Sequence, residues 1–187
     1  LCRDWSSDVC SSDLALPGKR ALMRPDPFPG FLLSAQPCRP TSRGHLQIRS
    51  ADPFAAPQIV PNSLATEEDL CEMLAGTKFL RRLAAAPSLA GIIAEEMQPG
   101  TGVQSDEELV QDIRRRGSTV FHPVSTCRMG ADASDNVVNH ELKVHGIHGL
   151  RVIDASVFPA VTSGNTNAPT IMVAEKGADL VLRDAVG

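Results

Sequence analysis

The hydrophobic pattern of this chain changes at Ser118, and that change limits the folds it can adopt. Between residues 66 and 116, apolar side chains recur at the three- and four-residue spacing of amphipathic helices. After Ser118, short β-like pieces stand at residues 137–138, 142–145 and 150–154. A Gly- and Asn-rich turn is then followed by a final amphipathic helix, predicted from about Ala168 to Arg183. The chain is therefore predicted to combine helices with short extended segments.

Capping signals predict where the first helices begin and end. Thr66 is followed by three acidic residues and is predicted to cap a long helix, which Pro87 ends. Ser105 and Glu108 form a capping-box pattern at the start of another helix, and Gly117 is placed to close it. The segment before these helices is predicted to be β structure, because residues 45–49 alternate between apolar and polar side chains.

Composition excludes several classes of protein. Hydrophobic residues make up 42% of the 187 residues and charged residues 21%, which is enough apolar surface for a packed core. The 18 basic and 22 acidic residues give a net charge of −4, which argues against a nucleic-acid-binding protein. No apolar run reaches the roughly 20 residues that a membrane-spanning helix needs. Five irregularly spaced cysteines without a CxxC motif argue against a disulfide framework or a zinc ribbon, and favour a reducing, cytoplasmic setting.

The first residues do not resemble part of a fold. The chain begins with Leu1, and residues 2–14 have no periodicity and resemble a translated adapter sequence. Residues 1–25 are therefore predicted to be an artefact or a disordered leader, and the chain to be a piece of a longer protein. A genuine flexible N-terminus is the alternative.

Two segments of the C-terminal half carry residues of chemical interest. The first, Phe121–Gly130, has the sequence FHPVSTCRMG; the second, Gly149–Met172, contains LRVIDAS and SGNTNAPT. In this order, and followed by a helix, they resemble the C-terminal part of the glucose–methanol–choline (GMC) family of FAD-dependent oxidoreductases. The choline-dehydrogenase and alcohol-dehydrogenase-like branch is the most similar, and the resemblance extends over about residues 26–187.

The resemblance implies an α+β fold. Residues 26–148 would form the family's substrate-binding domain, a mostly antiparallel sheet with helices on one face. Residues 149–187 would supply the terminal strand, active-site turn and helix of a FAD-binding α/β domain. The Gly-x-Gly-x-x-Gly motif by which the family holds the ADP half of FAD is absent from this sequence. The main cofactor-binding half is therefore expected to be missing.

The resemblance places the family's catalytic histidine on His122 and its second catalytic residue, His or Asn in the family, on Asn165. Asn167 is the alternative, because a two-residue ambiguity in this turn stays open. Oxidation of an alcohol requires a base for the hydroxyl proton and a hydrogen-bond donor for the developing alkoxide. Histidine suits the first task because its unperturbed pKa is about 6.5, and an asparagine amide suits the second.

The resemblance also implies four flavin-contacting residues: Asp154 and Ala155 at the end of the predicted strand, and Thr166 and Asn167 at the start of the final helix. Backbone N–H groups at a helix start can meet the electron-rich edge of a flavin. The simpler alternatives are that Asp154 only ends a strand and that the Asn-rich turn only caps a helix. Ser125 departs from the family pattern, since many members have glycine there.

The predicted function is oxidation of the CH–OH group of a primary alcohol or choline-like substrate, by proton abstraction and hydride transfer to FAD. The partners would be a small-molecule alcohol and the missing N-terminal half of the same protein. The alternative is a catalytically inactive domain that binds a hydroxylated small molecule. A metal-dependent hydrolase is disfavoured, because His140, His145 and His148 match no common zinc-ligand spacing.

Overall fold

The structure is a computed structural model that describes residues 29–186. In chain order it contains strands β1 (His45–Gln47) and β2 (Gln58–Val60), helices α1 (Glu67–Ala84), α2 (Pro87–Ala90) and α3 (Asp106–Arg116), a 3-10 helix (Ala155–Val157) and helix α4 (Asn167–Val186). This is the mixture of helix and strand that was predicted. No helix in the described range is both long and apolar enough to cross a bilayer. The predicted leader, residues 1–25, lies outside the described residues.

The sheet is smaller than the sequence predicted. Strands β1 and β2 form a two-stranded antiparallel pair in which Leu46 lies opposite Ile59. Within residues 29–186, the predicted strand at 150–154 contributes only an isolated bridge, between Lys143 and Arg151. Positive φ angles interrupt the backbone just before it, at Leu142 (62°), Gly146 (73°) and Gly149 (75°). Within residues 29–186 the chain therefore turns every few residues here, and this segment forms no continuous ladder.

Helix α1 begins where its capping signals predicted. Thr66 Oγ1 accepts a hydrogen bond from the backbone N–H of Asp69 at 3.3 Å. The buried Asp69 carboxylate accepts hydrogen bonds from the backbone N–H groups of Thr41 (2.7 Å) and Ser42 (3.0 Å). Burial alone would raise the pKa of Asp69, but the hydrogen bonds from Ser42 and Thr41 outweigh it and hold that pKa well below its usual range. The carboxylate thus fastens α1 to the segment before β1.

Helix α3 carries the predicted capping box. Ser105 Oγ accepts a hydrogen bond from the Glu108 N–H at 3.2 Å, while the Glu108 carboxylate accepts one from the Ser105 N–H at 3.1 Å. At the other end, the Gly117 N–H donates to the Ile113 carbonyl at 2.7 Å. Both ends of the helix therefore lie where the sequence placed them.

The hydrophobic core of the C-terminal part positions the candidate site. Its buried members are Val138, Leu142, Val157, Phe158, Val173 and Leu180. They join the loops after residue 130, the 3-10 helix and one face of α4. At Gly177, α4 approaches the chain so closely that a Cβ there would lie 2.5 Å from Ile153 Cγ2. Helix α4 therefore packs directly on the residue before Asp154.

Candidate active site

The loop that carries His122 is pinned to the 3-10 helix. Three hydrogen bonds join the two segments: Ser125 Oγ to the Phe158 carbonyl (2.8 Å), the Cys127 N–H to the Ser156 carbonyl (3.0 Å) and the Met129 N–H to the Val157 carbonyl (2.9 Å). Val157 and Phe158 are both buried, so these bonds form at the edge of the core. The position of the loop is therefore set by residues far along the chain.

The backbone on both sides of His122 lies in the left-handed region. Phe121 has a φ angle of 60° and Ser125 one of 73°. This conformation costs a non-glycine residue roughly 1–2 kcal/mol, which explains why glycine suits position 125 in the family that the sequence resembles. Ser125 offsets part of that cost through its hydrogen bond to the Phe158 carbonyl at 2.8 Å. Strained backbone of this kind is concentrated at functional sites.

His122 contacts the start of α4 directly. Its Nδ1 lies 2.9 Å from Oγ1 of Thr166, a residue 44 positions later in the chain. Thr166 immediately precedes α4 and is 7% exposed, while His122 is half-buried. Among the described residues, Nε2 of His122 has no hydrogen-bond partner. The described residues thus hold the ring through Nδ1 and leave Nε2 without a partner.

The two candidate asparagines flank Thr166. Asn165 precedes it in the turn, Asn167 is the first residue of α4, and both are exposed. Neither amide side chain is hydrogen-bonded to any part of the chain that the structure describes. The choice of Asn165 over Asn167 therefore stays a prediction. Thr166, which the resemblance implied only as a flavin contact, is the residue whose side chain meets His122.

The turn before α4 is also tied to the N-terminal part of the described chain. Arg39 Nη2 donates a hydrogen bond to Ser163 Oγ at 2.6 Å, across 124 positions of sequence. Within the turn, Thr162 Oγ1 donates to the Gly164 carbonyl at 3.0 Å. The segment before β1 and the turn before α4 therefore meet beside the candidate site.

Asp154 caps the 3-10 helix. Its Oδ1 accepts a hydrogen bond from the Ser156 N–H at 2.8 Å, and the side chain is exposed. Ala155 is half-buried. Ser156 Oγ is buried and has no hydrogen-bond partner among residues 29–186. Asp154 thus begins a short helix, and the predicted contacts of Asp154 and Ala155 with a flavin stay predictions.

The three histidines at positions 140, 145 and 148 have separate surroundings. His145 Nε2 lies 3.0 Å from the Gly130 carbonyl, whereas His140 and His148 are exposed. In the described part of the chain, no group of three or more His, Cys, Asp or Glu residues is arranged to hold a metal ion.

Comparison with known proteins places these residues in a family. A family model described as GMC oxidoreductase matches residues 40–174. The chain is 46% identical over 154 residues to an alcohol dehydrogenase (acceptor) of Pseudomonas putida, a match that covers 82% of this chain and 28% of that protein. It is 45% identical over 152 residues to an oxygen-dependent choline dehydrogenase of Pseudomonas fluorescens (strain Pf0-1), covering 81% and 27%. The chain thus spans little more than a quarter of the length of these relatives.

Solved structures are also similar to this chain. An FAD-dependent oxidoreductase from Chaetomium thermophilum is 31% identical with a TM-score of 0.74, over 79% of this chain and 26% of that one. A fungal aryl-alcohol oxidase is 35% identical with a TM-score of 0.72, over 80% and 25%. The family model covers most of the sequence, including His122 and the turn before α4. By this match and by its relatives, the chain belongs to the GMC oxidoreductase family.

Proposed function

We propose that the protein containing this chain oxidises the CH–OH group of a primary alcohol or choline-like molecule, with FAD as the hydride acceptor. The observation that carries the proposal is the 2.9 Å contact between His122 Nδ1 and Thr166 Oγ1, because it brings the histidine to the start of α4 and leaves Nε2 without a partner in the part of the chain that the structure describes. The names of the relatives, alcohol dehydrogenase and choline dehydrogenase, support the substrate class. The FAD-dependent oxidoreductase of similar structure supports the cofactor.

The residues at the start of α4 fit the electron-rich edge of a flavin. The first turn of α4 contains no acidic residue, so no carboxylate there opposes a partial negative charge. Free N–H groups at a helix start carry partial positive charge. Asn165 and Asn167 add exposed neutral amides. The space beside Gly164 is open, since a Cβ there would meet no atom within 4 Å. The flavin contacts that we assign are those of Asp154, Ala155, Thr166 and Asn167.

In this proposal, His122 and Asn165 act on the substrate oxygen. Nε2 of His122, which is free among the described residues, accepts the proton of the alcohol O–H. The Asn165 amide donates a hydrogen bond to the oxygen as negative charge develops on it. The substrate carbon then loses a hydride and becomes a carbonyl carbon. FAD, when bound, supplies the acceptor for that hydride.

We assign residues 26–148 to a substrate-binding domain and residues 149–187 to the C-terminal part of a FAD-binding domain. The hydrogen bond from Arg39 to Ser163 joins the two parts beside the candidate site, and ligand sites occur preferentially where domains meet. The sequence has no Gly-x-Gly-x-x-Gly motif and spans 28% of its alcohol dehydrogenase relative. We therefore assign the ADP half of FAD to another part of the protein.

Substitution of His122 tests the proposal. In the flavin-loaded protein that contains this chain, His122→Ala is expected to slow alcohol-dependent flavin reduction by roughly 10²–10⁴-fold, the usual contribution of general acid–base catalysis. The amount of bound flavin should not change, because His122 acts on the substrate. Stopped-flow absorbance of the flavin measures both quantities. His148→Ala is the matched control, since His148 is an exposed histidine in a turn.

Two results would contradict the proposal. The first is an unchanged rate of flavin reduction in the His122→Ala protein. The second is alcohol binding to the unsubstituted, flavin-loaded protein without any flavin reduction, which would favour the catalytically inactive binding domain.

A further inference from the structure

We propose that Thr166 is a positioning residue for His122: its Oγ1 accepts a hydrogen bond from Nδ1–H of the ring and so leaves Nε2 as the nitrogen that takes the substrate proton. The inference rests on the proposed function, because it gives a task to the neighbour of the proposed base. It concerns the side chain of Thr166, whereas the flavin contact assigned above concerns the backbone at the start of the helix.

The hydroxyl of Thr166 is not used to cap its own helix. The Thr166 carbonyl accepts the first hydrogen bond of α4, from the Thr170 N–H at 2.9 Å, so Thr166 occupies the N-cap position. An N-cap threonine ordinarily accepts a hydrogen bond from the N–H of the second or third helical residue. The third helical residue here is Pro169, which has no N–H, and among the described residues no bond joins the hydroxyl to the Ala168 N–H. The hydroxyl is therefore available for another partner.

That partner is the imidazole of His122. Thr166 is 7% exposed, and buried hydroxyl groups almost always have a hydrogen-bond partner. The distance of 2.9 Å between Oγ1 and Nδ1 is normal for such a bond. A threonine side chain is β-branched and has few rotamers, so its hydroxyl is a rigid support for the ring.

The direction of this hydrogen bond decides which ring nitrogen can act as a base. A neutral imidazole carries one proton, so one nitrogen donates and the other accepts. If Nδ1 donates to Thr166 Oγ1, the lone pair lies on Nε2, the nitrogen that is free among the described residues. When Nε2 then takes the substrate proton, the Nδ1–H bond to Thr166 is kept and the ring does not have to rotate. The reverse direction would leave a proton on Nε2 and no site for the substrate proton.

Three variants of the flavin-loaded protein test the role of the hydroxyl. Thr166→Val removes the hydroxyl and keeps the shape; Thr166→Ser keeps the hydroxyl. Thr170→Val is the matched control, because Thr170 is a half-buried threonine one turn along, and among residues 29–186 its Oγ1 donates only to the Thr166 carbonyl, at 2.6 Å. We expect Thr166→Val to slow flavin reduction at saturating alcohol about five- to tenfold with KM unchanged, as for the loss of one neutral hydrogen bond. Thr166→Ser and Thr170→Val should stay within about twofold of the unsubstituted protein.

A spectroscopic measurement reports the tautomer without reference to the rate. In protein labelled with 15N-histidine, the nitrogen chemical shifts show which ring nitrogen carries the proton in the neutral ring, and the His122 signals are assigned by their loss in His122→Ala. We expect the proton on Nδ1 in the unsubstituted protein and in Thr166→Ser. In Thr166→Val, a population with the proton on Nε2 should appear.

Each outcome bears on one of the two proposals. A neutral His122 ring that carries its proton on Nε2 in the unsubstituted protein overturns the inference, even if no Thr166 variant folds. Equal rates in Thr166→Val and Thr170→Val overturn it as well. If His122→Ala abolishes flavin reduction while Thr166→Val does not alter it, the proposed function stands and only this inference fails. If His122→Ala has no effect, the proposed function itself fails.

Discussion

The close packing of α4 on Ile153, the residue before the Asp154 cap of the 3-10 helix, depends on Gly177. A Cβ at this position would lie 2.5 Å from Ile153 Cγ2 and 3.0 Å from Cδ1. Carbon atoms in contact are normally about 3.5–4.0 Å apart. Ile153 is β-branched, so Cγ2 cannot move away without a change of the χ1 rotamer. We therefore predict that Gly177→Ala forces α4 and Ile153 apart.

Two effects of opposite sign determine how much Gly177→Ala changes the free energy of opening α4. Alanine favours a helix interior over glycine by about 1 kcal/mol, whereas overpacking of a fitted contact costs about 1–3 kcal/mol. With the new Cβ about 1 Å too close to Cγ2, Gly177→Ala should lower the free energy of opening α4 by about 1 kcal/mol. In an Ile153→Ala background the clash is absent, and the same substitution should raise that free energy by about 1 kcal/mol. The double-mutant cycle should then give a coupling of about 2 kcal/mol.

Hydrogen exchange measures this opening directly. In the flavin-loaded protein, peptides that cover α4 should exchange about fivefold faster in Gly177→Ala, since 1 kcal/mol corresponds to about that factor. In the Ile153→Ala background they should exchange about fivefold more slowly when Gly177→Ala is added. A shift of the same sign in both backgrounds would refute the reasoning, because only the contact with Ile153 can reverse the sign.

Three further predictions concern the stability of the protein and the two asparagines. The Arg116 guanidinium lowers the pKa of Asp112 to about 2, so this carboxylate stabilises the fold above about pH 4. The stabilisation is lost as the pH falls through 2, and Asp112→Asn should therefore flatten the acid limb of a stability-against-pH curve. Ser125→Ala should destabilise the 121–130 loop by about 1 kcal/mol more than Ser125→Gly in hydrogen exchange, because both variants lose the hydrogen bond to the Phe158 carbonyl but only alanine keeps the strain of the φ angle of 73°. Asn165→Ala should slow flavin reduction in stopped flow, whereas Asn167→Ala should mainly lower the flavin content; a larger loss of rate in Asn167→Ala with the flavin retained would reverse the assignment.

The helices were predictable because the signals that fix their ends are local. Thr66 and Ser105 accept their capping hydrogen bonds from residues three positions on, so neighbouring sequence contains the whole interaction. Whether the strand expected at residues 150–154 pairs could not be predicted in this way, because a strand forms only where another segment pairs with it. Within the described residues, Arg151 forms a single bridge, with Lys143, and turns at Gly146 and Gly149 stand between the two. Pairing of this kind depends on the whole backbone and not on the alternation of one segment.

The candidate site likewise has a part that local sequence predicts and a part that depends on a distant segment. His122 was predicted from its flanking residues, but its hydrogen-bond partner was not, because Thr166 was predicted only as a flavin contact. The available signal was Pro169, which removes one of the two N–H groups that an N-cap hydroxyl ordinarily uses. A threonine at an N-cap with proline three positions later therefore has one capping donor fewer, which favours another partner for its hydroxyl.

The site geometry results from contacts that support one another. The backbone at Phe121 and Ser125 is strained, and strain of this kind persists only where the surroundings determine the conformation more than once. Here the surroundings are the 3-10 helix, which holds the His122 loop through three hydrogen bonds, and α4, which holds the ring through Thr166. Gly177 lets α4 lie against Ile153, one residue before the cap of that same 3-10 helix. A substitution at Gly177 that displaced α4 would therefore move the Thr166 hydroxyl relative to the His122 loop. It would do so without a direct contact between residue 177 and either Thr166 or His122.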